Sequence, residues 1–170
     1  CCLPCPPCLP CLPVFKFLFD AASKHNLKLA RDKKGSECLR ECIRVSRQPQ
    51  RWRIVRRLVV NCVALAGHSQ ANLVIQEVLK LGEHQLNRDI CALLQDHLEE
   101  LGKSQHGSYV IQACLRSSGA TPMLQRLGEL GDGKLEEFAK DRYGNYVIQT
   151  AIEMSKVILL HSRLCLHHFS

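Results

Sequence analysis

Four segments of this chain can be laid over one another without a gap. They are NLKLARDKKGSECLRECI (26–43), CVALAGHSQANLVIQEVL (62–79), LEELGKSQHGSYVIQACL (98–115) and LEEFAKDRYGNYVIQTAI (135–152), with starts 36, 36 and 37 residues apart. A unit of this length cannot bury its own apolar face, so successive copies must stack on one another. The shared columns support that reading. Leu29, Leu65, Leu101 and Phe138 form a large apolar column, with Ala30, Ala66, Gly102 and Ala139 as a small one beside it. Gly35, Ala71, Gly107 and Gly144 recur where a turn meets the next helix. Leu39, Ile75, Ile111 and Ile148, followed four residues later by Ile43, Leu79, Leu115 and Ile152, share one helical face and predict the seam between units.

The connecting segments also carry helical spacing. Trp52, Val55, Leu58, Val59 and Cys62 mark a helix over 51–65, and Leu86, Ile90, Leu93, Leu94 and Leu98 mark one over 86–101. Met123, Leu127, Leu130, Leu135 and Phe138 mark a third over 123–138, interrupted by Gly131-Asp132-Gly133. No stretch alternates with period two for long enough to argue a sheet. The expectation is an all-α solenoid of about three helices per unit, one of them short. The array spans 14–156 in repeats at 16–50, 51–86, 87–122 and 123–156, between a leader at 1–13 and a tail at 157–170 whose register is lost.

One five-residue window in each repeat is polar at chosen places. The windows run from Ser36 to Arg40, from Asn72 to Gln76, from Ser108 to Gln112 and from Asn145 to Gln149. First and fifth residues share a helix face, the second lies beside them, and the third and fourth turn towards the core. A hydrogen-bonding pair beside a flat ring can read a base edge and hold the base by stacking. The duller reading makes each Asn or Ser a helix N-cap. That reading leaves Gln76, Gln112 and Gln149 unexplained.

RYGNYVIQ and QHGSYVIQ, each inside a period of about 36 residues, resemble the RNA-contacting helix of the Pumilio (PUF) repeat family. The likeness covers roughly residues 24–155. It implies a curved, right-handed solenoid with single-stranded RNA on its concave face, one base per repeat. By that resemblance Asn145 with Gln149, and Asn72 with Gln76, are uracil-type pairs, and Ser108 with Gln112 is an adenine-type pair. Tyr109 and Tyr146 stack on bases, with Leu73 as a weaker stacker. Ser36 with Arg40 is similar to a cytosine-type pair, but Glu37 stands at its stacking position. The family binds RNA antiparallel, which implies a core of 5′-U-A-U-3′. It further implies binding to mRNA 3′ untranslated regions, control of translation or stability, protein effectors on the outer face, a monomer, and a cytoplasmic location.

Lys and Arg exceed Asp and Glu by 23 to 16, a formal charge of +7 that favours a polyanionic partner. Lys33, Arg116 and Arg142 are candidate phosphate contacts, among the wider set of Lys34, Arg40, Arg44, Lys103 and Lys140 beside the windows. Arg51, Arg53, Arg56 and Arg57 point to solvent or a protein partner. Cys2, Cys5, Cys8 and Cys11 would line one face of a polyproline helix, but no turn folds them into a metal site, so the leader is read as low-complexity sequence. Neither a metal nor a cofactor is expected. His161, His167 and His168 are read as surface or disordered residues of the tail. The six remaining cysteines sit mostly among apolar neighbours and imply a reduced, intracellular body. No apolar run is long enough to span a membrane. There is no HExxH and no Gly-rich phosphate loop, so catalysis is not expected. The rival architecture is a protein-binding scaffold of the HEAT or armadillo kind. The missing initiator Met suggests a fragment, and four repeats against the family's usual eight, with the degenerate first window and the unrelated leader, suggest an N-terminal half.

Overall fold

The structure is a computed structural model that describes the backbone of residues 13–167 and the side chains of residues 16–156. The expected leader lies outside the described residues apart from Pro13, which opens the first helix. Eleven α-helices follow: α1 (Pro13–Arg31), α2 (Lys33–Val45), α3 (Gln50–Val60), α4 (Cys62–Ala66), α5 (Ala71–Leu79), α6 (His84–Leu94), α7 (Leu98–Gly102), α8 (Gly107–Arg116), α9 (Thr121–Gly128), α10 (Asp132–Lys140) and α11 (Gly144–His167). A 3₁₀ turn, Gln95–His97, joins α6 to α7. The chain divides into two compact units, Cys1–Leu81 with α1–α5 and Gly82–Ser170 with α6–α11. Gly82 has φ of 71°, a value L side chains avoid.

The helices differ from expectation in their breaks. The helix read over 51–65 is two, separated at Asn61, whose amide N–H donates to the Leu58 carbonyl at 3.2 Å. In the fourth repeat the interruption falls before Asp132, so Asp132 and Gly133 form the first turn of α10. In the first repeat α1 bends at His25 (φ −112°, ψ 15°), which supplies the short middle helix without a gap. Helix α11 runs unbroken through the expected boundary at 156. The tail therefore begins inside a helix, because nothing between Ser155 and Val157 terminates one.

The large and small columns interlock within the second unit. Gly102 in the third repeat faces the Phe138 ring of the fourth, and a Cβ there would come within 2.6 Å of Phe138 Cε1. The column at Gly35, Gly107 and Gly144 has a different cause. A Cβ on each would meet the carbonyl oxygen six residues earlier, at 2.7, 2.5 and 2.8 Å respectively. The chain doubles back there from the middle helix into the reading helix. Ala71 holds the same place in the second repeat, fully buried.

The third and fourth window residues belong to the core in the two middle repeats. Val74 and Ile75 are both fully buried, as are Val110 and Ile111. Cys38, expected to point inward, is exposed. At the far end Ile148 is half-buried and Ala139 exposed, while Ile152 is 52% exposed where its counterpart Leu115 is buried. The first and last described repeats each lack one stacking neighbour among the described residues, which leaves one face of each uncovered.

Candidate nucleic-acid interface

The reading helices α2, α5, α8 and α11 begin on a common device. Asp32 accepts from the Gly35 N–H at 2.6 Å, and Ser104 Oγ accepts from Gly107 N–H at 3.1 Å. His68 Nδ1 accepts from Gln70 and Ala71 N–H at 3.2 and 3.4 Å. Asp141 accepts from Gly144 N–H at 2.7 Å and Tyr143 N–H at 2.9 Å. Asp32, His68, Ser104 and Asp141 occupy one register position, three residues before the Gly/Ala column. These are the helix caps, satisfying the free N–H groups of the first turn.

The bonds from Gly144 and then Tyr143 hold the Asp141 carboxyl below its usual range. A depressed folded value means that the cap contributes fully above the unfolded pKa of about 3.9 and is lost as pH falls through the folded value. Below about pH 4, wild-type chain should therefore lose melting temperature faster than Asp141→Asn, whose cap does not titrate there. Parallel pH profiles from circular dichroism would refute this assignment.

With the caps accounted for, the first window residues are free for another role. They donate back to carbonyls and do not cap. Asn72 Nδ2 donates to His68 and Ser69 carbonyls, both at 2.8 Å. Asn145 Nδ2 donates to the Asp141 carbonyl at 2.8 Å and the Arg142 carbonyl at 2.9 Å. The amide nitrogen is thus engaged twice and Oδ1 is the remaining acceptor, on a side chain that is buried at Asn72 and half-buried at Asn145. Gln76 Nε2 donates to Asn72 Oδ1 at 2.9 Å, and Gln149 Nε2 donates to Asn145 Oδ1 at 3.3 Å. Each pair presents a fixed acceptor from Asn beside a carboxamide with one hydrogen still available.

Ser108 and Ser36 differ. Ser108 Oγ donates to the Gln105 carbonyl at 3.3 Å and Ser36 Oγ to the Lys33 carbonyl at 2.9 Å, and neither touches the fifth residue of its window. Being shorter than Asn, Ser108 leaves room. Ser108, Tyr109 and Gln112 share a cavity of about 360 Å³ with Arg142, Tyr143 and Tyr146 of the next repeat. Tyr109 and Tyr146, the predicted stackers, are each 54% exposed, against 37% for Leu73. Glu37 is exposed and paired with Lys34 at 3.3 Å, and Arg40 is half-buried. Tyr143 was not among the predicted site residues. Its position just before the glycine was the available signal.

The basic residues divide. Lys34, Arg44, Lys103 and Lys140 are engaged with Glu37, Glu77, Glu137 and Glu136 respectively. Arg116 donates to Thr150 Oγ1 at 3.1 Å and lies 3.9 Å from Glu153. Lys33 is exposed and Arg142 lies over the Tyr143 ring at 5.4 Å, each without a carboxylate within salt-bridge distance among the described residues. Burial, with the neighbouring Cys38 thiol, pushes Cys42 up to about 11, so it stays protonated at neutral pH. Among the described residues no group of three or more His, Cys, Asp or Glu is placed to hold a metal ion, and no helix is long and apolar enough to cross a membrane.

Known proteins match this arrangement. The Pumilio-family RNA binding repeat model matches residues 27–59, 61–93, 97–120 and 134–156, more than half of the chain. Pumilio homolog 12 of Arabidopsis thaliana is 32% identical over 101 residues, covering 59% of this chain and 17% of that protein. Putative pumilio homolog 7, chloroplastic, from the same plant is 29% identical over 100 residues, 59% of this chain and 15% of its own length. The chain thus spans less than a fifth of these relatives. Among solved structures, the Puf4 RNA binding domain bound to an HO endonuclease RNA 3′ UTR recognition sequence superposes with a TM-score of 0.77 at 27% identity, over 84% of this chain and 46% of that one. The Puf3 RNA binding domain bound to a Cox17 RNA 3′ UTR site gives 0.74 at 22% identity, over 84% and 43%. The fold is accordingly the all-α repeat solenoid of these domains, and not a HEAT or armadillo array. The chain belongs to the Pumilio family of RNA-binding repeat proteins.

Proposed function

We propose that this chain binds single-stranded RNA sequence-specifically, one base per repeat and without catalysis, with a core of 5′-U-A-U-3′ running antiparallel to the repeats. The tethered Asn–Gln pairs carry the reading. Uracil offers an N3–H donor beside a carbonyl acceptor, which matches Asn Oδ1 beside the spare Gln Nε2 hydrogen. Cytosine offers an unprotonated N3 beside an amino donor, which sets lone pair against lone pair at Asn Oδ1. At Ser108 the shorter side chain and the cavity beside it suit a purine. Adenine N1 accepts from Gln112 Nε2 while its amino group donates to Ser108 Oγ. The Ser36 and Arg40 repeat reads a following base loosely, because Glu37 is a poor stacker and repels phosphate. Lys33 and Arg142 are the cations best placed for phosphate, and Arg116 serves mainly inside the stack. The structures of Puf4 and Puf3 with 3′ UTR RNA support the ligand class. On that basis the targets are mRNA 3′ untranslated regions, and the outcome is control of translation or stability in the cytoplasm, with protein effectors on the outer face of a monomer.

The assignment is tested at Gln112. A glutamate there, beside Ser108, accepts from the N1–H and amino donors of guanine. Gln112→Glu should therefore move the preference at that one base from adenine to guanine by roughly tenfold. Competition binding with RNAs differing only at that base gives the answer, and an unmoved preference would count decisively against base reading.

A further inference from the structure

The carboxamide of Gln112 is held differently from those of Gln76 and Gln149. It makes no bond to the first residue of its own window. Its neighbour is Thr150 of the next repeat, 2% exposed, whose Oγ1 donates towards Gln112 Oε1 at 3.5 Å and to the Tyr146 carbonyl at 2.8 Å. Arg116 Nη2 donates to the same hydroxyl oxygen at 3.1 Å. A hydroxyl carries one proton. The incoming guanidinium hydrogen takes a lone pair, and the proton is shared between the Tyr146 carbonyl, its main acceptor at 2.8 Å, and Gln112 Oε1, the longer branch at 3.5 Å.

We propose that Thr150, set by Arg116, is the positioning residue that keeps Gln112 Oε1 turned inward and Nε2 outward, so that the base choice of the third repeat is fixed by a side chain of the fourth. This deepens the base-reading proposal and rests on it. The register of the first unit carries the same clamp in altered chemistry. Arg44, at the position of Arg116, donates to Glu77, at the position of Thr150, at 3.2 Å. There the fifth window residue is Arg40, which only donates, and the sixth residue of the next window is a carboxylate, which only accepts. Beside Gln112 a hydroxyl stands in its place, whereas the residue in register beyond Gln76 is Ala113. Free to turn over, Gln112 would also offer Oε1 to the base and accept from the N1–H of guanine.

Thr150→Val keeps the shape of the side chain and removes the hydroxyl. With the full chain and a short RNA carrying 5′-U-A-U-3′, the variant should lose adenine-over-guanine preference at the Ser108 and Gln112 position by about fivefold or more. Uracil-over-cytosine preference at the Asn145 and Gln149 position should stay at the wild-type level, and Thr150→Ser should restore adenine preference. Wild-type discrimination by Thr150→Val overturns the positioning role, as does an equal loss at both positions. A wild-type chain without preference at either position overturns the base reading itself, and the inference with it.

Discussion

Phe138→Ala should lower the unfolding free energy by about 3–5 kcal/mol, the loss expected when a fully buried aromatic leaves a space that cannot close. Phe138 is completely buried, and its ring lies against the bare Gly102 Cα with the Lys103 ammonium 5.1 Å from the ring centroid. The two repeats meet here through one side chain, because the facing residue has none. Leu101 holds the same column position in the preceding repeat with less volume. The Phe138 carbonyl also lies under Gly144, so slack at this point loosens the turn into α11. Denaturant unfolding measures the cost. A loss below about 1 kcal/mol would mean that the repeats collapse onto the gap, and would refute the interlocking account.

The second large effect is on binding. Tyr109→Ala with Tyr146→Ala should weaken a 5′-U-A-U-3′ RNA by roughly 100-fold, since stacking contributes about 1–3 kcal/mol per base. Both rings are more than half exposed, so the double variant should fold and melt like the wild type. Fluorescence anisotropy with labelled RNA reads the affinity. Wild-type affinity in the double variant would show that the rings play no part in holding bases.

The repeat, its four windows and the helical class were all legible in the sequence, because a period of 36 residues places like chemistry in like positions. The caps were not. Asp32, His68, Ser104 and Asp141 do one task with three residue types, and a column compared by residue identity hides a shared ability to accept a hydrogen bond. Exposure at the ends was hidden for another reason. Cys38 and Ile152 carry the pattern of buried positions, and periodicity describes each repeat without saying whether a neighbour covers it. The bond from Arg116 to Thr150 was not legible, because a lysine or arginine beside a reading helix looks the same in sequence whether it reaches solvent or the next repeat. The Gly/Ala column was placed correctly, but its cause, a carbonyl six residues back, required coordinates.

An amide anchored through both hydrogens cannot be swivelled by the molecule it meets. Asn72 and Asn145 are anchored in that way, so on the proposed reading neither repeat can adapt to a nucleotide whose edge is inverted. Methylation at N3 of a target uridine puts a carbon where the oxygen needs a proton, and the repeat is blinded. Isomerisation to pseudouridine leaves N3–H and both carbonyls in place and passes unnoticed. If the proposed base reading holds, the rigidity of one turn of backbone decides which chemical marks on an RNA the two repeats can sense.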